Sequence, residues 1–274
     1  MTTTPNQTVR YEVADGVATV TLDRPDSLNS MTNELMDDIS AAFGFVEADA
    51  SVRVVVLTGE GRGFCSGADL RDASSDSMDD EVAADQGDVV AGGMDDHFHP
   101  AIRAISSCPV PTIARVNGVA AGGGFGLALA CDVAIATRSA FFVATFGPRL
   151  GIVPDLGTTW SVPMRVGRAR ALGITMLGDR ITSEQAEEWG LIWKSVEDGD
   201  LDKEVAKVVE VFARSSPMAM ARIRDAVSTA AERSFSEQLD VERDHQRVLI
   251  PRNMAEGADA FLAKREPDFD SDRG

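Results

Sequence analysis

Basic residues are scarce in this sequence: 26 Lys and Arg stand against 44 Asp and Glu, for a net charge of −18. That balance argues against a nucleic-acid partner, because a phosphate backbone is bound by cations that displace its counterions. An anionic small molecule would have to meet locally placed cations rather than a general basic field. Cysteine is also sparse. Cys65, Cys108 and Cys131 lie far apart, with no C-x-x-C pair and no histidine at metal-ligand spacing, which points away from a metal site and suits a reducing, cytoplasmic setting. No apolar run approaches the ~20 residues that span a bilayer. The opening stretch, Met1 to Glu12, has no apolar core, so a secretory signal is not expected. His97 and His99 flank Phe98, but two histidines without a third ligand make a weak metal site.

What is present is an ordinary globular balance, 44% hydrophobic and 26% charged over 274 residues, enough to bury a substantial core. A hairpin is predicted from Val9–Val13, the turn pair Asp15-Gly16, and Val17–Leu22. A helix follows from Thr32, with Leu35, Met36, Ile39, Phe43 and Val46 on one face. Arg53–Thr58 reads as a buried strand closed by Gly59. From Asp72 to Asp96 acidic residues crowd among Ser, Gly and Met; the composition predicts a mobile excursion, either a lid or a solvated acidic loop. A helix over Phe98–Ser107, a strand over Val110–Val116, a glycine-rich turn into a helix ending at Cys131, and a strand over Asp132–Ala136 come next. Beyond Gly151 the pattern is helical: Met164–Leu177, Ser183–Trp189, Leu201–Ala213, Pro217–Ala230, Phe235–Ile250 and Met254–Lys264. The order predicts an α/β core carrying C-terminal helices. Trp160, Trp189 and Trp193 are expected in the core.

Two glycine-rich junctions are candidate sites. One runs from Gly61 to Leu70 after the buried strand, and the other from Asn117 to Leu127 between a strand and a helix. Glycines let backbone N–H groups approach a ligand, and a helix N-terminus leaves such donors unpaired. Together they could form an oxyanion hole; singly, each could be tight packing. A dinucleotide fingerprint does not fit, since the glycines Gly122-Gly123-Gly124 are packed too closely and no acidic residue stands at the required distance.

The ordered combination of motifs resembles the crotonase (enoyl-CoA hydratase/isomerase) superfamily. The matching stretches are Phe64-Cys65-Ser66-Gly67-Ala68-Asp69-Leu70, then Asn117-Gly118 with Gly122-Gly123-Gly124, Leu127 and Cys131-Asp132. Gly151-Ile152-Val153-Pro154-Asp155-Leu156-Gly157, Pro163 with Val166-Gly167, and Glu256 to Phe269 extend the likeness almost to the end of the chain. The resemblance implies a spiral of β-β-α units with a C-terminal helical trimerisation region, here residues 1–200 and 201–274, assembled as a homotrimer or hexamer. It implies an acyl-CoA thioester substrate, no separate cofactor and no metal. By motif position, the N–H groups of Ala68 and Gly123 would hold the thioester oxygen. Asp69 and Leu70 would lie near the adenine, Phe261 and Lys264 would contact CoA, and Arg24 is a further phosphate candidate. Lys264 and Arg24 could equally be solvated surface charges.

The sequence departs from the hydratase pattern where the two usual glutamates belong. Gly126 stands at the first position and Gly147 near the second. Asp155 is the remaining carboxylate, at a position that serves as the base in some isomerases of the family. One base suffices to shift a double bond, and partial burial would raise its pKa towards a useful range. Asp155 could instead cap the helix from Thr158. An isomerase is therefore expected ahead of a hydratase with atypical groups or an acyl-CoA-binding protein with little catalytic power.

Overall fold

Asp15 and Gly16 both take left-handed backbone angles (φ 51° and 76°), the turn whose twist suits a tight hairpin. They join strands β2 (Val9–Ala14) and β3 (Val17–Leu22), and β2 also pairs with a short β1 (Thr2–Thr3). The computed structural model of the chain describes residues 2–69 and 80–269. Helix α1 (Asn33–Ala48) begins where the Thr32 hydroxyl accepts the Leu35 N–H. Its buried face carries Leu35, Met36, Ile39, Phe43 and Val46, with Asp38 fully buried among them. That carboxylate accepts hydrogen bonds from the Asn6 and Thr8 N–H groups and the Thr8 hydroxyl, which fixes the first strand pair on the helix.

Three successive turns then share one plan. Strand β4 (Val54–Gly59) joins a large sheet, and β5 (Gly63–Cys65) crosses to a small one; helices α2 (Asp80–Gly93) and α3 (His99–Ser106) follow, linked by a π-helical turn over Met94–Phe98. The next turn runs through β6 (Thr112–Val116), β7 (Val119–Ala121) and α4 (Gly123–Ala130). The third runs through β8 (Val133–Thr137), β9 (Phe141–Val143) and α5 (Thr158–Leu177), the last broken at Gly167. Strands β3, β4, β6 and β8 stack in parallel, as do β5, β7 and β9. Strand β10 (Ile181–Thr182) edges the small sheet, and after α6 (Ser183–Glu188) β11 (Lys194–Val196) completes the large one. The α/β spiral of strand–strand–helix turns expected from the sequence is what the chain adopts, with C-terminal helices α7 (Leu201–Arg214), α8 (Pro217–Ser228) and α9 (Phe235–Ala263).

Burial on both faces explains why β4 reads as an unbroken apolar run. Val55 and Leu57 point into the main core between the sheets, while Val54 and Val56 point to a second cluster with Ile113, Ile135, Leu201 and Val205 beneath α7. Among the described residues no helix is long and apolar enough to cross a membrane.

Three expectations need correction. The acidic stretch is not a structureless excursion throughout: residues 70–79 lie outside the described part, but Asp80–Gly93 is a helix. Trp160 and Trp193 are exposed, and only Trp189 packs against the core. The break expected between Ile250 and Met254 is absent, because α9 runs through Pro251; beyond it, the Asn253 amide donates to the Ser216 hydroxyl at the start of α8.

Candidate active site

After Cys65 the chain leaves the small sheet and runs against the loop 24–31, which grips it at successive residues. The Ser66 N–H donates to the Leu28 carbonyl at 3.0 Å, the Met31 N–H to Gly67 at 2.8 Å, and the Asp69 N–H to Met31 at 2.9 Å. Leu28 and Asn29 both take left-handed angles (φ 53° and 56°), a conformation asparagine tolerates better than most residues. The fully buried Asn29 amide donates to the carbonyls of Glu60, Gly63 and Phe64, and its Oδ1 accepts the Arg24 N–H. In the parallel bridge between Met31 and Ala68, Ala68's own N–H points away from Met31. Among the described residues it has no acceptor, and Ala68 is exposed.

The second glycine run meets the first at this point. Gly67 (φ 92°) lies so close to the Gly122–Gly123 backbone that an added Cβ would sit 2.8 Å from the Ala121 carbonyl oxygen and 3.4 Å from the Gly123 nitrogen. Gly124 touches the β5 backbone, where a Cβ would fall 2.2 Å from the Cys65 oxygen. Only glycine allows α4 to begin directly on β5. Gly123 is the first residue of α4, so its N–H is one of the donors a helix leaves unpaired; it too has no acceptor among the described residues. Met31 spans both halves: its backbone holds the Ala68 segment, and its sulfur lies 3.0 Å from where a Gly123 Cβ would stand. The structure thus brings the two predicted donor segments together, at a helix N-terminus that favours negative charge.

Asp155 is half-buried just before α5. The capping alternative is excluded: the N-cap of α5 is Gly157, no side chain caps it, and the Thr158 N–H is met by the main-chain carbonyl of Asp155. Asp155 Oδ1 is buried without a hydrogen-bond partner among the described residues, as is the Thr158 hydroxyl. Burial raises the carboxyl pKa above its ordinary value, while a local backbone hydrogen bond and the charge of His99 pull it back. Asp155 connects to the donor region through Leu156, whose side chain reaches within 2.9 Å of a Gly123 Cβ.

The position of the first hydratase glutamate is physically filled. A Cβ on Gly126 would lie 2.7 Å from the Leu156 carbonyl oxygen, 2.8 Å from the Thr158 hydroxyl and 3.0 Å from the Leu156 Cβ. The main chain of Leu156, held at a left-handed φ of 49°, occupies the space. Gly147, at the second glutamate position, is exposed.

Arg24 is no free surface charge. Its Nη1 donates to the Ser30 carbonyl and hydroxyl and its Nη2 to Asp69 Oδ2 at 3.1 Å. Asp69 is buried and also accepts from the Ser30 hydroxyl at 2.8 Å. Leu70 lies outside the described residues. Phe261 and Lys264 lie exposed at the end of α9, Lys264 as its left-handed C-cap; among the described residues no hydrogen bond or ion pair links them to the other site residues. His97 pairs with Asp37 and His99 with Asp95, and no group of three metal-ligating side chains occurs among the described residues. Sequence reasoning missed Asn29, Ser30 and Met31. Their one signal is position, in the loop after the hairpin: Met31 acts through its backbone, and the Asn29 amide and Ser30 hydroxyl meet partners more than thirty residues away.

Similarity to known proteins agrees with this geometry. The family model described as enoyl-CoA hydratase/isomerase matches residues 12–272. The chain is 42% identical over 258 residues to the 1,2-epoxyphenylacetyl-CoA isomerase of Escherichia coli (strain K12), covering 94% of this chain and 96% of that one. It is 38% identical over 263 residues to a Rhodobacter capsulatus protein named as a probable enoyl-CoA hydratase, covering 96% and 97%. The crystal structure of an enoyl-CoA hydratase from Polaromonas sp. JS666 matches with a TM-score of 0.85 at 33% identity, covering 96% of this chain and 99% of that one. Motif order, spiral fold and whole-chain similarity agree, and the chain belongs to the enoyl-CoA hydratase/isomerase family.

Proposed function

We propose that the protein isomerises an unsaturated or epoxidised acyl-CoA thioester with Asp155 as its single base. The observation that carries this reading is the pairing of a half-buried carboxylate, whose Oδ1 has no hydrogen-bond partner among the described residues, with a filled glutamate slot at Gly126. The Ala68 and Gly123 N–H groups receive the thioester oxygen. Asp155 takes a proton from one carbon of the acyl chain, negative charge moves onto that oxygen, and Asp155 returns the proton at another carbon. Removing one oxyanion donor costs about 3–4 kcal/mol of transition-state stabilisation in enzymes of this type. The E. coli relative's name supports an aryl or ring-derived acetyl group as the acyl part. CoA enters as part of the substrate, with Asp69, Leu70, Phe261, Lys264 and Arg24 the candidate contacts, and no metal or redox group takes part. The exposed Ile223, Val227, Phe235, Leu239, Phe261 and Leu262 of the C-terminal helices support assembly as a trimer, which a sedimentation mass tests.

Hydration is the second reading, favoured by the name of the Rhodobacter relative. It requires one group to activate water and another to deliver a proton; glycines stand at the two usual glutamate positions, and among the described residues Asp155 supplies one such group. The test offers 2-enoyl and 3-enoyl CoA thioesters, aryl substituents included, and follows double-bond position by NMR and conjugated-enoyl absorbance and water addition by mass. Migration in the wild type, lowered about 10²–10⁴-fold in Asp155→Asn with acyl-CoA binding retained, is the expected result. Undiminished migration in that variant, or water addition that survives it, overturns the assignment. Binding without either reaction leaves an acyl-CoA-binding protein.

A further inference from the structure

The peptide linking Gly67 to Ala68 is planar and trans, so its C=O and N–H point in opposite directions. Whatever holds the Gly67 oxygen therefore aims the Ala68 N–H. That holder is the Met31 N–H, at 2.8 Å, and the next peptide is held in turn by the Met31 carbonyl through Asp69 N–H at 2.9 Å. The direction of the donor depends on where Met31 stands. The residues flanking this bridge, Ser30 on one strand and Asp69 on the other, are tied together by side chains. The Ser30 hydroxyl donates to Asp69 Oδ2 at 2.8 Å. Arg24 closes the ring, donating from Nη2 to the same oxygen at 3.1 Å and from Nη1 to both the carbonyl and the hydroxyl of Ser30.

A carboxylate as buried as Asp69, with 7% of its side chain exposed, is costly to keep ionised without partners. Here an arginine and a hydroxyl meet it, and the arginine itself is only 24% exposed. Such a closed ring has one arrangement of its members, and displacing any of them leaves a buried charge short of a partner. Its rigidity is transmitted one residue along each strand, to Met31 and to Ala68.

We propose that Arg24, Ser30 and Asp69 are positioning residues that fix the direction of the Ala68 N–H. The proposal rests on the reading of Ala68 as an oxyanion donor. None of the three side chains acts on the substrate itself in this role; each acts through Met31 and the backbone on either side of it.

The test uses the full-length protein and a chromophoric probe, the CoA thioester of 4-dimethylaminocinnamic acid, whose absorption moves to the red when its carbonyl is polarised. Ser30→Ala removes one bond from Asp69 and one from Arg24 but leaves Arg24 bonded to Asp69 and to the carbonyl of residue 30, so the fold is retained; Asp69→Asn keeps the shape and removes the charge. The expected result is a red shift on binding to the wild type that falls by half or more in both variants, with the free-CoA affinity of Ser30→Ala changed less than about 3-fold. Isomerase kcat falls about 10- to 100-fold, short of the loss that follows outright removal of a donor, and KM changes little. An undiminished red shift in Ser30→Ala overturns the positioning role, even where thermal stability drops. A bound probe that shows no shift in the wild type overturns the oxyanion reading itself, so the two failures are distinguishable. If Asp69→Asn does not fold, Ser30→Ala alone decides.

Discussion

Replacing Gly126 tests whether the hydratase glutamate slot is filled or merely vacant. In Gly126→Ala the added methyl meets the Leu156 carbonyl oxygen at 2.7 Å and the Thr158 hydroxyl at 2.8 Å. Both distances lie well inside ordinary contact, and one neighbour is main chain that cannot rotate away. Overpacking of this kind costs about 1–3 kcal/mol, and the backbone partner places Gly126→Ala towards the upper end. A loss of ~2–3 kcal/mol corresponds to a fall in Tm of roughly 5–10 °C for a domain of this size. Gly126→Glu adds a buried carboxylate with no cationic partner, a further penalty of several kcal/mol, so the α4–α5 junction is displaced. The assay is thermal and urea denaturation at fixed protein concentration, run beside water addition to a 2-enoyl-CoA. A Gly126→Glu protein within about 0.5 kcal/mol of the wild type that also hydrates its substrate would refute the steric argument.

Other expectations follow from the same coordinates. Burial sets the folded-state pKa of Asp155 above its unfolded value of 3.8, so ionisation opposes folding at high pH and the opposition disappears as pH falls through the folded pKa. Asp155→Asn should therefore melt above the wild type at about pH 8 and lose that advantage below the unfolded pKa; a lower Tm at every pH contradicts the direction of the shift. Cys65 is fully buried and its thiol is pushed up to about 12 by desolvation, so native protein should resist iodoacetamide at Cys65 in peptide mapping until it is unfolded. Thr32→Ala removes the cap of α1 and should cost about 1 kcal/mol in urea denaturation while leaving acyl-CoA binding intact.

Much of the fold was legible because its signals are local. The Asp15-Gly16 hairpin, the apolar face of α1 and the run of valines in β4 each depend on nearby residues, and each stands where expected. Strands β5, β7 and β9 were not legible. At three residues each, they exist because successive turns of the spiral stack on one another, and no three-residue pattern encodes that stacking. The glycine junctions pointed to the donor segments through residue type alone. The loop that orients them did not, since Asn29 and Met31 work by backbone geometry and one buried amide. The missing hydratase glutamate at Gly126 was visible in the sequence; the filling of its space by Leu156 and Thr158 was not, because those residues arrive from a segment about thirty positions away.

A structure with a non-reacting acyl-CoA bound tests the central claim most directly. The thioester oxygen should lie about 2.7–3.1 Å from both the Ala68 and the Gly123 nitrogens, with Asp155 Oδ1 facing a carbon of the acyl chain that carries the transferred proton. A thioester oxygen bonded to neither nitrogen, or an acyl chain directed away from Asp155, would contradict the account.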